Sequence, residues 1–385
     1  MHLQTFLRAG GNFDYLKNNL ALHIKTHKNY PNLHLFKYNQ IESPMDDPIV
    51  LEARGIILDQ LNNWDIVCHP FHKFFNYGEQ RAATIDWQTA HIQEKVDGSL
   101  MTLYWYNKEW LVSSSGAPDA SGSVNSMDIT FADLFWDTFF DKCKYELPTD
   151  QLHQYNFMFE LCTPLNRIVV HHTTPSLVLL GIRNRISGVE IRPDQSTFHD
   201  LIKISSEIGN YRVVRSFPLQ TIDDITTTFQ QMNPMIQEGY VIVDAAFNRV
   251  KVKHPGYVAI HHLRGEQGPT HKRLLAIIRD GEKSEILTYY PEWTDLWNKT
   301  EQAYNVLIAE LEADYNRIND DVHRITPNGV TVQPSWIQKE FAIRAVKTRC
   351  SDALFRLRAG RESSIRSYLS KIDLDKLCSL LGFKN

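Results

Sequence analysis

The chain has 385 residues, of which 43% are hydrophobic and 22% charged, and its formal net charge is -4. This composition is ordinary for a globular protein and excludes a disordered or low-complexity chain, while the length favours a sizeable core and two domains. The acidic balance excludes a protein that coats nucleic acid through its overall charge, but it leaves room for a local basic face.

The start of the chain lacks the features of a signal peptide, and no apolar run is long enough to cross a membrane. We therefore expect an intracellular, cytoplasmic protein without membrane contact. Five scattered cysteines with no Cys-x-x-Cys pair predict reduced thiols and argue against a thiolate zinc site. Three histidine pairs are weaker metal candidates, because neighbours on a strand point to opposite faces: His69 with His72, His171 with His172, and His261 with His262.

The first third of the chain places two cations among apolar residues. A short helix is predicted from Phe13 to His23, and strands are predicted from Ile49 to Asp59 with Arg54 at a sheet edge or turn. The stretch Pro70 to Gly78 sets Lys73 among aromatic residues. Either the rings pack in the core and Lys73 reaches solvent, or Lys73 is a fixed cation facing an anion.

The stretch from Gln93 to Leu100 predicts a strand, an exposed turn and a second strand, with Lys95 just before Asp97-Gly98. A lysine fixed at a rigid turn is a candidate nucleophile once its proton has been removed. A solvated lysine in a hairpin is the alternative. Lys-x-Asp-Gly alone arises by chance in roughly one chain in ten of this size.

The middle of the chain predicts a β-meander at residues 101–115 and helices at Thr130–Lys144 and Asp200–Ile208. Glu160 interrupts an apolar strand, so it lies either at a solvent-facing edge or in a site. Leu177 to Asn184 predicts a buried strand.

A second carboxylate, Glu238, stands at the entry to another apolar strand. The alternation that follows places Arg249, Lys251 and Lys253 on one strand face. Three like charges there are tolerated if that face meets a polyanion or carboxylates.

Beyond about His262 the pattern becomes helical, with helices predicted at Trp297–Arg317, Trp336–Arg349 and Asp352–Leu380. From Lys339 to the end, eleven basic residues face five acidic ones, a local excess of six positive charges. This predicts a separate helical domain that either meets a phosphate backbone or presents a solvated charged face.

The ordered motifs resemble those of covalent nucleotidyltransferases, and most closely the bacteriophage RNA ligase 1 family. The resemblance covers roughly residues 50 to 260 and rests on Ala53-Arg54-Gly55, Lys73-Phe74-Phe75-Asn76, Lys95-Val96-Asp97-Gly98-Ser99, Phe159-Glu160-Leu161 with Asn166-Arg167-Ile168-Val169, Glu238-Gly239-Tyr240-Val241, and Lys251-Val252-Lys253 with Tyr257. It implies an α+β fold, with an adenylation domain of antiparallel sheets and flanking helices over residues 1–258 and an all-α RNA-recognition domain over residues 259–385.

The resemblance also implies an ATP-dependent RNA ligase. Lys95 would receive AMP, pass it to an RNA 5′-phosphate, and a 3′-hydroxyl would then seal the strand. Lys251 and Lys253 would hold the α-phosphate and favour loss of the Lys95 proton, Arg54 and Lys73 would meet the outer phosphates, and Glu160 would bind the ribose hydroxyls. The implied ATP contacts are Arg54, Lys73, Phe75, Glu94, Gly98, Glu160, Val241 and Tyr257. Glu238, with Asp97 as a second ligand, would hold magnesium or manganese.

Two features depart from the family pattern. The loop after the first motif reads Ser113-Ser114-Ser115-Gly116, where the family tends to carry a lysine, and the strand Leu177–Asn184 offers no aromatic for adenine. An aliphatic sandwich from that strand and Tyr240-Val241 is expected instead. The resemblance further implies a monomer that repairs nicked tRNA; the alternatives are a DNA ligase, a GTP-using capping enzyme, or a catalytically silent RNA-binding protein.

Overall fold

The computed structural model describes residues 1–125, 127–140, 152–191, 195–206, 211–263, 269–281, 283, 286–287, 291–325 and 334–383. The chain divides into two compact units, Met1–His261 and His262–Asn385. The sequence predicted a division between residues 258 and 259, and the roles assigned to the two parts stay predictions.

The first unit contains fifteen described strands and most of the short helices. The strands are β1 His23–Thr26, β2 Leu33–Lys37, β3 Arg54–Asp59, β4 Asp65–Cys68, β5 Phe75–Asn76, β6 His91–Lys95, β7 Ser99–Tyr106, β8 Glu109–Ser114, β9 Tyr155–Cys162, β10 Ser176–Asn184, β11 Glu190–Ile191, β12 Arg212–Val213, β13 Ser216–Phe217, β14 Gly239–Val243 and β15 Arg249–Lys253. The helices are α1 His2–Arg8, α2 Phe13–Asn18, α3 Pro48–Glu52, α4 Phe131–Phe139, α5 Ser196–Ser206, α6 Ile222–Thr228 and α7 Pro255–Leu263.

Three sheets organise this unit, in the strand orders β1-β2-β3-β4, β11-β10-β9-β7-β8 with β12 beside β10, and β13-β6-β14-β15-β5. Apart from the parallel pairs β10–β12 and β15–β5, the pairings are antiparallel. Each sheet contributes its buried apolar residues to a core, the largest of which lies between the second sheet and helix α4. The predicted α+β class is confirmed.

The Lys95 motif connects two sheets. β6 lies in the third sheet and β7 in the second, so the segment Val96–Gly98 crosses between them. The predicted exposed turn is therefore wrong: Val96 is 7% and Asp97 4% exposed. The crossing places the end of β6 where the faces of two sheets meet, which sets the position of the site.

The second unit is helical in its described residues. It comprises a short 3₁₀ turn at Pro291–Trp293 and helices α8 His271–Asp280, α9 Thr294–Ile325, α10 Pro334–Ala345, α11 Ser351–Arg358, α12 Ile365–Lys371 and α13 Leu374–Leu381. The long α9 buries one face, including Trp297, Tyr304 and Leu311. None of the helices in the described part of the chain is both long and apolar enough to cross a bilayer.

Two helix predictions were wrong in extent. The continuous helix expected from Asp352 to Leu380 is three helices, because Gly360 takes a left-handed conformation with φ +65° and Ser364 and Asp373 cap new helices. The helix expected from Phe13 to His23 ends at Asn18, and β1 begins at His23. The last residues of the predicted helices Thr130–Lys144 and Asp200–Ile208 lie outside the described residues.

Candidate active site

Lys95 ends β6 and makes an ion pair with Glu238, the residue just before β14. Its Nζ donates to Glu238 Oε2 at 2.6 Å, and the Lys95 and Glu238 side chains are 20% and 4% exposed. Gly239 lies opposite Lys95 on one side and Lys253 on the other in the strand register. Because Gly239 has no side chain, both lysines reach the carboxylate beside it.

Lys253 is the second lysine at Glu238. Its Nζ lies 3.5 Å from Glu238 Oε1 and 5.8 Å from the centre of the Tyr257 ring. Lys251 lies two residues earlier on β15, opposite Val241, and its carbonyl accepts a hydrogen bond from the Tyr77 amide. Glu238 is thus buried between two ammonium groups, which offsets the cost of removing its charge from water.

A cavity of about 260 Å³ opens at Lys95. Its polar lining includes Arg54, Glu94, Lys95 and Glu160, with Gly98 at one edge. Its apolar lining comprises the aromatic Phe71 and Phe74, Leu100, and four aliphatic residues from the segment after Lys95, from β10, from the segment after β12 and from β14, namely Val96, Leu180, Val214 and Val241. The cavity therefore combines charged groups with an aliphatic slot formed by these four residues.

Gly98 fixes how closely the Lys95 segment approaches β9. A Cβ on Gly98 would lie 2.5 Å from the carbonyl oxygen of Leu161 and 3.0 Å from Glu160 Cγ. No larger residue fits there without moving the strand. The close packing brings Glu160 to the same cavity as Lys95.

The two glutamates of the cavity differ in their partners. Burial raises the pKa of Glu160 to about 8, although the nearby Lys95 charge opposes the shift. Arg212 donates two hydrogen bonds to the Glu94 carboxylate, with lengths of 2.9 and 3.1 Å. Glu160 therefore exchanges a proton near neutral pH, whereas Glu94 is held as a paired carboxylate.

Arg54 has hydrogen-bonding capacity left in this cavity. Its NH1 atom is buried without a hydrogen-bond partner among the described residues, and its guanidinium lies 5.2 Å from the centre of the Phe74 ring. A buried guanidinium nitrogen without an acceptor is costly, so the atom is suited to an anion that enters the cavity.

Lys73 and Phe75, both predicted as nucleotide contacts, line a second cavity of about 550 Å³ beside the first. Lys73 Nζ donates to Gln40 Oε1 at 3.1 Å and lies 4.9 Å from the centre of the Tyr38 ring and 5.5 Å from that of Phe75. The structure thus places these two residues next to the Lys95 cavity and outside its lining.

Asp97 and Tyr257, predicted as metal and nucleotide contacts, lie behind the cavity. The Asp97 carboxylate accepts hydrogen bonds from the amides of Val169 and Val170, at 3.0 and 2.7 Å, and from the Tyr257 hydroxyl at 2.8 Å. His172 contacts the Asp97 carbonyl at 2.7 Å. Both carboxylate oxygens are engaged inside the fold, an arrangement that suits positioning of the Lys95 segment better than binding of a metal.

Lys37 is a candidate that sequence reasoning missed. It lies opposite Arg54 in the β2–β3 register, burial lowers its pKa, and a Cβ built on Gly116 would be 3.5 Å from its Nζ. Lys37 therefore brings a cation to the loop Ser113–Gly116, which has none of its own. A lysine at the end of the strand His34-Leu-Phe-Lys37 looks like an ordinary solvated residue, so only the sheet register identifies it.

The histidine pairs form no metal centre in the parts of the chain that the structure describes, where no group of three or more His, Cys, Asp or Glu side chains converges. His69 and His72 stack, with their Nε2 atoms 2.9 Å apart. Burial lowers the pKa of His72 to about 4, so the ring is neutral at pH 7.

The chain is similar in sequence to RNA ligases. The sequence profile of a family described as RNA ligase matches residues 52–257. An RNA ligase of Rhodothermus phage RM378 is 25% identical to this chain, over 91% of this chain and 90% of that protein. Among solved structures, an archaeal ATP-dependent RNA ligase has a TM-score of 0.46 at 11% identity, over 89% of this chain and 88% of its own. A Naegleria gruberi RNA ligase variant with ATP and Mn has a TM-score of 0.33 at 13% identity, over 45% of this chain and 51% of its own.

Proposed function

The chain belongs to the bacteriophage RNA ligase 1 family and is an ATP-dependent RNA ligase, and we propose that Lys95 is the residue to which AMP becomes attached. The observation that carries this assignment is the position of Lys95 at a nucleotide-sized cavity, in contact with the carboxylate of Glu238. The motif order of the family places its lysine nucleophile at the same residue.

The cavity has the chemistry that ATP requires. The unpartnered Arg54 nitrogen is available to a phosphate oxygen, and the slot between Val96, Leu180 and Val241 suits a flat purine. Glu160 is suited to the ribose hydroxyls, because in either protonation state it offers oxygen acceptors. We assign adenine to this aliphatic slot, and the outer phosphates to the side of the cavity where Arg54, Lys37 and Lys73 lie.

In the first step Lys95 Nζ attacks the α-phosphorus of ATP. An N–P bond forms, the P–O bond to pyrophosphate breaks, and the lysine loses a proton. Glu238, at 2.6 Å, is the carboxylate placed to take that proton. Lys251 and Lys253 supply positive charge on the same strand, which stabilises the charge that develops on the phosphate oxygens.

AMP then passes from Lys95 to an RNA 5′-phosphate, and an RNA 3′-hydroxyl displaces AMP to form the phosphodiester bond. In the first of these steps a P–O bond forms as the N–P bond to Lys95 breaks, and in the second a P–O bond forms as the bond to AMP breaks. Arg54 and the β15 lysines are the groups near Lys95 suited to hold the reacting phosphates.

Glu238 would hold a divalent cation in place of its ion pairs with Lys95 and Lys253, which engage both of its carboxylate oxygens in this structure. Magnesium is commonly held by one or two carboxylates, substrate phosphates and water, so a single buried glutamate beside a phosphate site is a sufficient protein contribution. When bound, Mg²⁺ or Mn²⁺ would neutralise phosphate charge. The fully engaged Asp97 is not needed as a ligand.

We further propose that the helical unit recognises structured RNA, with nicked tRNA as the substrate, and that the chain acts as a monomer. The excess of basic residues from Lys339 to the C-terminus supports contact with a phosphate backbone.

The test is formation of the covalent adduct. Wild-type protein incubated with labelled ATP and Mg²⁺ should form a covalent lysine–AMP bond that survives denaturation, and Lys95→Ala should abolish it because the substitution removes the attacking amine. Lys73→Ala is the matched control: it also removes one lysine, but should slow rather than abolish the adduct. Adduct on Lys95→Ala would refute the assignment, and labelling by GTP in place of ATP would indicate a capping enzyme.

A further inference from the structure

Gln93 is the one uncharged polar side chain in the lining of the Lys95 cavity. It is 8% exposed, and its amide makes no hydrogen bond within the described part of the chain. Gln93 shares a face of β6 with Lys95, because side chains two residues apart on a strand point the same way. A buried amide without a partner is costly, so this side chain has hydrogen-bonding capacity that a ligand can use.

The neighbouring strands place Gln93 at the aliphatic slot of the cavity. Val241 lies opposite Gln93 on β14 and lines the slot. On its other side Gln93 pairs with Ser216 of β13, two residues after Val214, which also lines the slot. Lys95 lies two residues, about 7 Å, farther along β6. Gln93 is therefore at the part of the cavity assigned to adenine, and Lys95 is at the part where the α-phosphate reacts.

The charged groups of the cavity have other partners or other chemistry. Both oxygens of Glu94 accept hydrogen bonds from Arg212. Glu160 lies beside Gly98 on β9 and is assigned to the ribose. The arginines of the lining offer only donors. Among the described lining residues, this leaves the Gln93 amide to meet the polar edge of a base.

An amide matches the edge of adenine that carries the 6-amino group. The amide oxygen accepts a hydrogen bond from this amino group, and the amide nitrogen donates one to the ring nitrogen beside it. The aliphatic side chains of the slot contact the faces of the ring and carry no such information. A purine without the amino group therefore fills the slot equally well but lacks the donor that the Gln93 oxygen would accept.

We propose that Gln93 recognises the 6-amino group of adenine and so distinguishes ATP from a purine nucleoside triphosphate without this group. The proposal rests on the ATP-dependent RNA ligase function and deepens it. Gln93 takes no part in bond making: Lys95 forms the N–P bond, and Gln93 holds the base while that bond forms. Its loss changes how well ATP is selected, and the attacking atom stays the same.

Gln93→Met tests this contact. Methionine is similar to glutamine in length and flexibility, and the substitution removes an amide that has no partner in the described fold. The variant should therefore fold, with a urea midpoint no lower than that of the wild type. Gln88→Met is the matched control, because Gln88 is exposed and outside the cavity lining.

The readout is a competition between two nucleotides in one reaction. ATP and purine riboside triphosphate, which lacks only the 6-amino group, are mixed in equal amounts with Mg²⁺ and the full-length protein. Mass spectrometry of the intact protein counts the two lysine adducts at early times, since they differ in mass by the missing amino group. Their ratio is the ratio of the two kcat/KM values, and a partly unfolded sample does not change it.

The wild type and Gln88→Met should favour ATP about tenfold, the upper range of what one neutral hydrogen bond contributes. Gln93→Met should lower this preference to less than about twofold, because its side chain no longer accepts a hydrogen bond from the amino group. The variant should therefore lose about five times more kcat/KM with ATP than with purine riboside triphosphate. Each nucleotide measured alone gives these two losses separately.

Two results would overturn the proposal. A tenfold preference that survives in Gln93→Met would show that another group meets the amino group, even if kcat/KM falls for both nucleotides. A wild type that uses both nucleotides equally well would show that the amino group is not recognised. Absence of any adduct in the wild-type chain with ATP would instead refute the proposed function, so the two failures are distinguishable.

Discussion

The raised pKa of Glu160, a residue of the candidate site, makes the free energy of unfolding depend on pH. Its pKa of about 8 means that the folded chain keeps a proton on this carboxyl which the unfolded chain releases near pH 4.5. Between those values the folded state binds more protons than the unfolded state, so the free energy of unfolding falls as the pH rises. The site thus keeps a neutral acid beside Lys95 at a cost in stability.

Glu160→Gln should therefore be more stable than the wild type at pH 8, and the difference should shrink as the pH falls and vanish below about pH 4, where the Glu160 carboxyl is protonated in the unfolded chain as well. One pKa unit corresponds to about 1.4 kcal/mol, so the gain is a few kcal/mol at most. Urea denaturation at pH 5, 6, 7 and 8 measures it, with Glu42→Gln at an exposed position as the control. A difference between Glu160→Gln and wild type that does not grow with pH would contradict the raised pKa.

At the level of single residues, the sequence identified carboxylates that stand within or next to apolar strands. Glu160 and Glu238 stood out because a carboxylate inside an apolar strand needs a reason, and both lie beside Lys95 in the structure. Arg249 stood out as one of three cations on the same strand face, whereas Lys37 had no such signal. Lys37 is recognised only through its register with Arg54.

At the level of elements, β14 and its neighbours position the Lys95–Glu238 pair, and Gly239 is the critical residue. It has φ +151°, and a Cβ there would lie 2.2 Å from the Val252 carbonyl oxygen and 2.8 Å from Lys253 Cα. Both of these atoms belong to the backbone, so a side chain cannot be accommodated by rotation of a neighbour. The start of β14 would have to move away from β15, and Glu238 with it.

Gly239→Ala should therefore destabilise the protein by more than about 2 kcal/mol, a backbone-strain penalty plus a clash, and slow adduct formation at Lys95. Gly10→Ala is the matched control, because Gly10 also has a positive φ, of +90°, but no atom within 4 Å of its Cβ position. That control should lose only about 1–2 kcal/mol from the left-handed backbone and keep its activity. If Gly239→Ala and Gly10→Ala lost the same free energy of unfolding in urea denaturation, the close approach of the β15 backbone would have no effect on stability.

The sequence predicted whether most elements are helices or strands, but it did not predict which strands pair with one another. Alternation predicted β7, β9 and β15, because period-2 patterns reflect one buried face. The same patterns carry no information on which sheet a strand joins, so the crossing of the Lys95 segment from one sheet to another was not foreseen. The break in the predicted helix Asp352–Leu380 was missed because the helical spacing of apolar residues continues past Gly360. The glycine itself indicated a possible helix end.

At the scale of the whole molecule, the helical unit is less available to a polyanion than its composition suggests. Several of its basic side chains are already paired, as in Arg344–Glu340 at 2.5 Å, Arg349–Glu310 at 3.1 Å and Lys371–Glu362 at 2.6 Å. In the described part of this unit, the exposed Lys339, Lys347 and Arg361 make no side-chain ion pair. These three are the residues best able to exchange counterions for RNA phosphates.

Reversing Lys339, Lys347 and Arg361 to Glu should therefore weaken binding of nicked tRNA and flatten its dependence on salt by about one unit of slope for each phosphate that the variant no longer neutralises. The lysine–AMP adduct should form at the wild-type rate, since this chemistry belongs to the other unit. The triple variant Lys17→Glu, Lys28→Glu and Lys108→Glu makes the same change in net charge at exposed positions of the first unit, so it separates a local interaction from a general charge effect. Filter binding over a salt series, with unstructured RNA in parallel, is the measurement. Equal weakening by both variants would refute a dedicated surface on the helical unit, and equal weakening for both RNAs would refute preference for tRNA.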